Sequence, residues 1–255
     1  MQFIGIIPAR YASTRFPGKP LVDLCGKTMI QRVYEQANNV LDTVIVATDD
    51  QRIYDCVKAF GGNVFMTSPD HQCGTDRVYE AYTLYREQTQ CTLPDSEVVV
   101  VNIQGDEPFI QPDQIQALMH CFPTEIATLV HPFTKENTWD DLSNPNYVKV
   151  VTDQRGRALY FSRAAIPFQR DVERSEWTKH HTYLKHIGIY AFRAEVLKAV
   201  TDLPQSTLEL SESLEQLRWL ENGYKIGVGI TQMETIGIDT PEDLERAEQF
   251  LKEKM

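Results

Sequence analysis

Short apolar runs alternate with segments of helical hydrophobic periodicity along the first half of the chain. The runs predict strands at 3–8, 43–48, 63–66 and 97–103. Apolar positions at helical spacing predict helices at 28–40, 50–60 and 75–88. Unbroken apolar runs are typical of parallel strands that helices cover on both faces. The alternation therefore predicts an α/β fold with a doubly wound, mostly parallel sheet.

The pattern changes after about residue 130. Two strands around a glycine turn are predicted at 147–161, a further strand at 183–192, and helices at 208–222 and 240–253. Thr240 and Pro241 suit the start of the last helix. We expect one α/β domain over 1–255 with a smaller β-rich insert at about 132–202.

Composition and charge narrow the possible partners. Of the 255 residues, 42% are hydrophobic and 24% are charged, which is ordinary for a globular protein. A net charge of -11 argues against nucleic acid or an anionic membrane as the main partner. The first 27 residues are locally cationic, however, with four basic residues against Asp23. A small anionic substrate therefore remains compatible with this segment.

Cysteine usage and hydropathy bear on the cellular compartment. The five cysteines are widely spaced and form no CxxC pair, which predicts reduced thiols rather than disulfides or a zinc site. The apolar run at 3–8 is too short for a signal peptide, and no stretch approaches the ~20 residues of a membrane span. We expect a cytoplasmic protein without a membrane partner.

The first predicted strand leads into a loop, PARYASTRFPGK, that carries three cations among small residues, prolines and a glycine. Ligands of parallel α/β sheets bind beyond the carboxyl ends of the strands, where this loop is expected to lie. The guanidinium groups of Arg10 and Arg15 suit phosphate oxygens, and Lys19 adds a compact positive charge. Two interpretations stay open here: a phosphate-binding loop, or a surface loop with scattered cations.

Two aspartates lie where strands are expected to end. Asp106, in NIQGDEP, follows the strand at 97–103, and Asp239, in GIDTPED, directly precedes the helix at 240–253. Proteins usually hold Mg²⁺ with one or two carboxylates together with substrate phosphates. The pair therefore predicts a Mg²⁺ site beside the cationic loop. The alternative is that Asp239 only helps to cap the helix that follows it.

Six blocks of the sequence resemble the 3-deoxy-manno-octulosonate (Kdo) cytidylyltransferases and stand in the order of that family. They are IPARYASTRFPGKPL, NIQGDEP, YFSRAAIP, HIGIY, LEQLR and GIDTPEDLERA. The likeness spans residues 2 to about 250. Sialic-acid cytidylyltransferases also begin with IPAR, but STRFPGKPL points to the Kdo enzymes.

The resemblance implies a fold of the nucleotide-diphospho-sugar transferase type. It implies a reaction in which CTP and Kdo give CMP-Kdo and diphosphate, for lipopolysaccharide biosynthesis. It further implies Mg²⁺ as the cofactor, CTP and an acidic eight-carbon sugar as the substrates, and a homodimer formed through the insert.

Individual site residues are also implied by the resemblance. The catalytic residues would be Arg10, Arg15, Lys19 and Asp106, the cations holding the nucleotide phosphates and Asp106 sharing Mg²⁺ with Asp239. The other substrate-binding residues would be Gln104 near the cytosine and Arg77, Arg163, His186, Tyr190, Glu215 and Gln216 around the sugar. Without the resemblance, a surface arginine, a core histidine and a solvated helix face would account for Arg163, His186 and the Glu215–Gln216 pair.

Two other functions stay open from the sequence alone. One is another sugar nucleotidyltransferase on the same fold, and the other is a nucleotide-binding regulator without catalytic activity. The loop cations and the aspartate pair disfavour the regulator, because a silent protein has no need of a metal site.

Overall fold

The structure, a computed structural model, describes residues 1–12, 16–71, 73–122, 125–233, 237–238 and 240–254. Its contacts divide the chain into two compact units. The first unit comprises Met1–Gln116, Phe192–Thr201 and Thr235–Met255, and the second comprises Ala117–Ala191 and Asp202–Glu234. The predicted insert at about 132–202 falls in the second unit except for residues 192–201, and its bounds stay a prediction.

Strands and helices alternate from Gln2 to Thr152, whereas two strands and later three helices follow one another in the rest of the described chain. The strands are β1 (Gln2–Ala9), β2 (Val44–Thr48), β3 (Val64–Met66), β4 (Val98–Asn102), β5 (Ile126–Pro132), β6 (Lys149–Thr152), β7 (Ala158–Ser162), β8 (Leu184–Arg193) and β9 (Ile226–Ile230). The helices are α1 (Met29–Asn38), α2 (Gln51–Ala59), α3 (Gly74–Thr89), α4 (Pro112–His120), α5 (Trp139–Ser143), α6 (Trp177–His180), α7 (Ala194–Thr201), α8 (Thr207–Glu212), α9 (Gln216–Glu221) and α10 (Pro241–Lys254).

A parallel sheet with the strand order β3-β2-β1-β4 forms the centre of the first unit. Every residue of β2 and β4 is buried, as the unbroken apolar runs predicted. Strand β4 is fourth along the chain but pairs with the first, so the loops that follow β1 and β4 leave the sheet side by side. The α/β prediction is confirmed, and this adjacency determines which side chains can meet.

Side chains at the helix starts explain where two of the helices begin. Thr28 accepts the Gln31 N–H at 3.4 Å, but the Gln31 side chain bonds Glu35, so the capping interaction at α1 is not reciprocal. At α10 it is reciprocal: Asp243 accepts the Thr240 N–H, and the Thr240 hydroxyl accepts the Asp243 N–H. The predicted N-cap at Thr240 is confirmed.

The second unit contains a parallel pair and an antiparallel group of strands. Strands β5 and β9 are parallel, whereas β6 is antiparallel to both β7 and β8. Gly156, at φ 71°, lies in the turn between β6 and β7. Glycine adopts this left-handed backbone conformation without steric cost. The prediction of two strands around a glycine turn is confirmed.

The single helix predicted at 208–222 is wrong, because α8 and α9 are separate helices. Ser213 has φ 51° and ψ 50°, and the Leu214 N–H donates to the Glu209 carbonyl, which ends α8. In a single helix the spacing of Leu210, Leu214 and Leu217 would place them on one face, but Leu210 is 61% exposed while Leu214 and Leu217 are buried. A serine in the left-handed conformation has no clear sequence signature. The hydrophobic periodicity therefore predicted one continuous helix in place of two.

None of the helices that the structure describes combines the length and the apolar character needed to cross a bilayer.

Candidate active site

Lys19 and Asp106 form an ion pair in the first unit, although 87 positions separate them in the sequence. The Lys19 Nζ lies 2.7 Å from Asp106 Oδ2, with the two side chains 13% and 35% exposed. The pair forms because the loops after β1 and β4 are neighbours. The predicted loop cation and the predicted metal-binding carboxylate are thus in direct contact.

A bend at Gly18 brings Lys19 into position. Gly18 has φ 73°, and its N–H donates to the Tyr11 carbonyl at 2.9 Å. A Cβ there would lie 3.1 Å from the Tyr11 ring, so both the backbone angle and the space favour glycine. Arg10 follows β1 directly and is exposed. Arg15 lies outside the described residues.

The segment after β4 reaches Asp106 through a close backbone approach. A Cβ on Gly105 would lie only 3.0 Å from the Pro8 carbonyl oxygen, so glycine lets this segment pass against the end of β1. The Ile238 N–H donates to the Asp106 carbonyl at 3.0 Å, which places Gly237 and Ile238 at the same point. Asp239, the next residue, lies outside the described residues.

The donor set around Asp106 suits a hard cation that is shared with a substrate. Among the residues that the structure describes, no three histidines, cysteines or carboxylates cluster as a complete metal cage. One partly exposed carboxylate at a strand end is instead the arrangement in which Mg²⁺ takes its remaining ligands from phosphates and water. Asp106 therefore fits the predicted metal, and Lys19 neutralises this carboxylate in the structure.

Two further candidates in the first unit are Gln104 and Arg77. Gln104 is partly buried two residues before Asp106. Arg77, on α3, is 1% exposed, and its guanidinium bonds Asp49 at 2.8 Å and the Thr67 hydroxyl at 2.5 Å. Arg77 thus ties together the segments that follow β2 and β3. Its predicted role at the sugar stays a prediction.

In the second unit, His186 and Tyr190 of β8 belong to a row of aromatic rings. The His186 ring lies 5.2 Å from the rings of both Phe161 and Tyr190, and Tyr190 lies 5.1 Å from Trp219. His186 Nε2 is 3.0 Å from the Thr128 hydroxyl oxygen. The ring is thereby held in one orientation, as a group that orients a substrate must be.

The environment of this row shifts two pKa values. Burial disfavours the charged imidazolium and lowers the pKa of His186 to about 3. Burial, with a contribution from the negative charge of Glu215, raises the pKa of Tyr190 well above its usual value. Both groups are neutral at physiological pH, so they can exchange hydrogen bonds with hydroxyl groups without altering the charge of the site.

The Glu215–Gln216 segment begins α9, and Arg218 anchors it. Arg218 donates a hydrogen bond of 3.0 Å to Glu209 and makes a second ion-pair contact of 3.0 Å with it, and it lies 3.5 Å from Glu215 Oε1. Gln216 and Arg218 are buried. The solvated helix face considered from the sequence is therefore wrong for Gln216.

Arg163 directly follows β7, and its guanidinium lies against backbone oxygens. Nε donates to the Glu212 carbonyl at 2.6 Å, one terminal nitrogen to Pro145 at 2.9 Å, and the other to Ser213 at 3.2 Å. The alternative of an ordinary surface arginine is therefore wrong. Its predicted contact with the sugar stays a prediction.

His186 leads to a prediction for stability against pH. An unfolded histidine titrates near pH 6.5, and folding lowers this pKa to about 3. Between these values the unfolded chain binds more protons, so the free energy of unfolding falls as the pH falls. Replacing His186 by Asn should remove this contribution.

We therefore expect urea titrations at pH 7 and pH 4.5 to show a smaller acid loss of stability for His186→Asn than for the wild type. Replacing the exposed His180 by Asn is the matched control and should leave the acid loss unchanged. Equal acid losses in the wild type and His186→Asn would contradict the prediction.

Comparison with known proteins adds to this geometry. A family model described as cytidylyltransferase matches residues 4–226. The chain belongs to the cytidylyltransferase family. A relative from Bacteroides thetaiotaomicron, named 3-deoxy-manno-octulosonate cytidylyltransferase, is 62% identical over the full length of both chains. A relative of the same name from Porphyromonas gingivalis is 53% identical, with 98% of this chain and 97% of that one covered.

A solved cytidylyltransferase structure matches equally completely. It is a CMP:2-keto-3-deoxy-manno-octonic acid synthetase complexed with CTP, and it covers 100% of both chains with a TM-score of 0.86 and 39% identity. The α/β fold class and the family resemblance are thereby confirmed. The roles of the individual site residues stay predictions.

Sequence reasoning on this cytidylyltransferase missed two charged residues that hold the candidates in place. Asp49 follows β2 and pairs with Arg77. Glu212 ends α8 and accepts hydrogen bonds from Ser162 and from the backbone of Arg163. Asp49 could have been found as an acid directly after a predicted strand, whereas Glu212 lay inside the predicted helix at 208–222 and carried no signal.

Proposed function

We propose that this cytidylyltransferase couples CTP to 3-deoxy-manno-octulosonate and releases CMP-Kdo and diphosphate. The observation that carries the proposal is the full-length match to relatives of that name, at up to 62% identity. The ion pair of Lys19 with Asp106 supports it, because the cation proposed for the phosphates and the carboxylate proposed for the metal lie in direct contact.

In the proposed reaction, the anomeric hydroxyl oxygen of the sugar attacks the α-phosphorus of CTP. A new C–O–P linkage forms, the bond to the β-phosphate oxygen breaks, and diphosphate leaves while the hydroxyl proton passes to solvent. Arg10, Arg15 and Lys19 bind and orient the triphosphate and neutralise the charge that develops on the leaving group. Asp106 and Asp239 hold Mg²⁺, which supplies further neutralisation of the phosphates.

Several of the residues proposed to bind the sugar lie in the second unit. His186, Tyr190 and Gln216 offer neutral donors and acceptors, and the carboxylate of Glu215 adds a charged acceptor, for the hydroxyl groups of a sugar. Burial of such groups favours selectivity, because a sugar that lacks a matching hydroxyl leaves them unpaired. We extend the proposal to a cytoplasmic homodimer whose product serves lipopolysaccharide biosynthesis.

The choice of nucleotide tests the proposal. We expect strong preference for CTP over ATP and GTP, because Gln104 is proposed to lie near the cytosine and a purine is larger. Diphosphate release should be measured with each nucleotide in the presence of Kdo and Mg²⁺, with product analysis over a panel of acidic sugars. Comparable turnover with a purine nucleotide would exclude the cytidylyltransferase reaction, and preference for a sialic acid would exclude Kdo as the acceptor.

A further inference from the structure

A reciprocal clamp joins the end of β7 to the turn between α8 and α9. Glu212 accepts the Ser162 hydroxyl at 2.7 Å on one carboxylate oxygen and the Arg163 N–H at 2.9 Å on the other. In return, the Arg163 side chain donates to the carbonyls of Glu212 and Ser213. Each segment thus holds the other through both a side chain and the backbone.

The clamp satisfies groups that would otherwise lack partners. The last carbonyls of a helix have no partner within it, and those of Glu212 and Ser213 receive the guanidinium instead. Charged donors and acceptors make stronger hydrogen bonds than neutral ones. The left-handed residue Ser213 is therefore held at the point where the chain turns into α9.

A buried lysine holds the other side of Arg163. Lys149 is fully buried, and its Nζ donates to the carbonyls of Arg163 at 2.6 Å and Asn144 at 3.0 Å. Desolvation lowers the pKa of Lys149 to about 8, and the negative charge of Glu212 acts in the opposite direction. The carboxylate thus favours the charged form of the lysine that fixes the Arg163 backbone.

We propose that Glu212 is a positioning residue for the sugar site. Its carboxylate fixes the turn that ends three residues later at Glu215 and continues into Gln216. This inference rests on the proposed function, because it takes these two residues as ligands of the sugar. Glu212 itself makes no contact with the substrate and acts through the turn.

Glu221 provides a matched control. Like Glu212, it accepts hydrogen bonds from a hydroxyl and a backbone N–H, here those of Thr207 and Leu208. Its carboxylate thereby links the end of α9 to the start of α8. It lies at the end of α9, away from Glu215. The same Glu→Gln change at both positions therefore compares the clamp with a second carboxylate contact of similar chemistry.

Steady-state kinetics with separate variation of Kdo and CTP test the proposal. We expect Glu212→Gln to raise the KM for Kdo roughly tenfold, the cost of about one charge-assisted hydrogen bond, and to leave the KM for CTP nearly unchanged. Glu221→Gln should change neither constant. If Glu212 had a purely structural role, Glu212→Gln would lower the unfolding temperature but would not raise the KM for Kdo more than the KM for CTP.

Two further variants keep the test decisive. If Glu212→Gln fails to fold, Ser162→Ala removes the hydroxyl that donates to Glu212 and that also accepts the Ala164 N–H at 3.0 Å. This variant leaves the Arg163 N–H on Glu212 and should raise the KM for Kdo by a smaller factor. Arg163→Ala should resemble Glu212→Gln, and the double variant should lose little more than either, because residues that act as a unit are not additive. The proposal would be overturned if the increases in the KM for Kdo of the two single variants multiplied in the double variant. It would also be overturned if Glu212→Gln and Glu221→Gln had the same KM for Kdo. Absence of Kdo turnover in the wild type would instead overturn the proposed function.

Discussion

The Asp106→Asn variant is expected to lose at least about 100-fold in turnover while it keeps its fold, because electrostatic groups aimed at developing charge contribute on this scale. Asn keeps the size of the side chain but not the negative charge that a Mg²⁺ ligand needs. The side chain is partly exposed, and the amide oxygen of Asn can still accept a hydrogen bond from Lys19, so the exchange is expected to leave the fold intact. Diphosphate release at saturating CTP and Kdo, with Mg²⁺ varied, is the measurement.

Asp239→Asn provides the second half of this experiment. We expect a loss of similar size, and the double variant should lose little more, because two ligands of one metal act as a unit. Asp23→Asn is the control, since Asp23 is an exposed acid whose carboxylate accepts the Gly26 N–H. Near-normal activity of Asp239→Asn would mean that Asp239 only helps to cap the helix. Near-normal activity of Asp106→Asn would contradict the proposed metal site.

The parallel core of the first unit could be predicted because its determinants are local. Strand β4 reads as an apolar run and is buried at every position. The start of α10 could be predicted from Thr240 followed by a proline. The break at Ser213 could not, because its left-handed angles are stabilised by the clamp from β7, which lies about fifty residues earlier in the sequence.

The sequence named candidate residues for the site, but it did not show their contacts. The sequence places Lys19 and Asp106 after strands, but the order of those strands in the sheet decides that they meet. Arg77 and Arg163 both appear in the sequence as cations available to a substrate. Their carboxylate, hydroxyl and carbonyl partners come from distant segments and are visible only in the fold.

Lys19→Met should weaken CTP binding and, at the same time, strengthen binding of a divalent cation to the nucleotide-free protein. The loss for CTP follows from one missing charge-assisted contact to phosphate, roughly one to two powers of ten in affinity. The gain for the cation follows from the ion pair, because the Lys19 ammonium occupies the Asp106 carboxylate in the structure. Removing the ammonium removes a competitor of like charge.

Calorimetric titration of CTP and electron paramagnetic resonance of added Mn²⁺, without nucleotide, measure the two effects separately. Lys27→Met is the matched control, because Lys27 also pairs with a carboxylate, Glu35, but does so on the exposed surface, and it should change neither affinity. Arg15→Ala should weaken CTP binding and leave Mn²⁺ binding unchanged. Tighter Mn²⁺ binding in Lys19→Met that disappears when Asp106→Asn is added would assign the competition to this carboxylate. Unchanged Mn²⁺ binding together with unchanged CTP affinity would leave Lys19 as a structural partner of Asp106 without a role at the triphosphate.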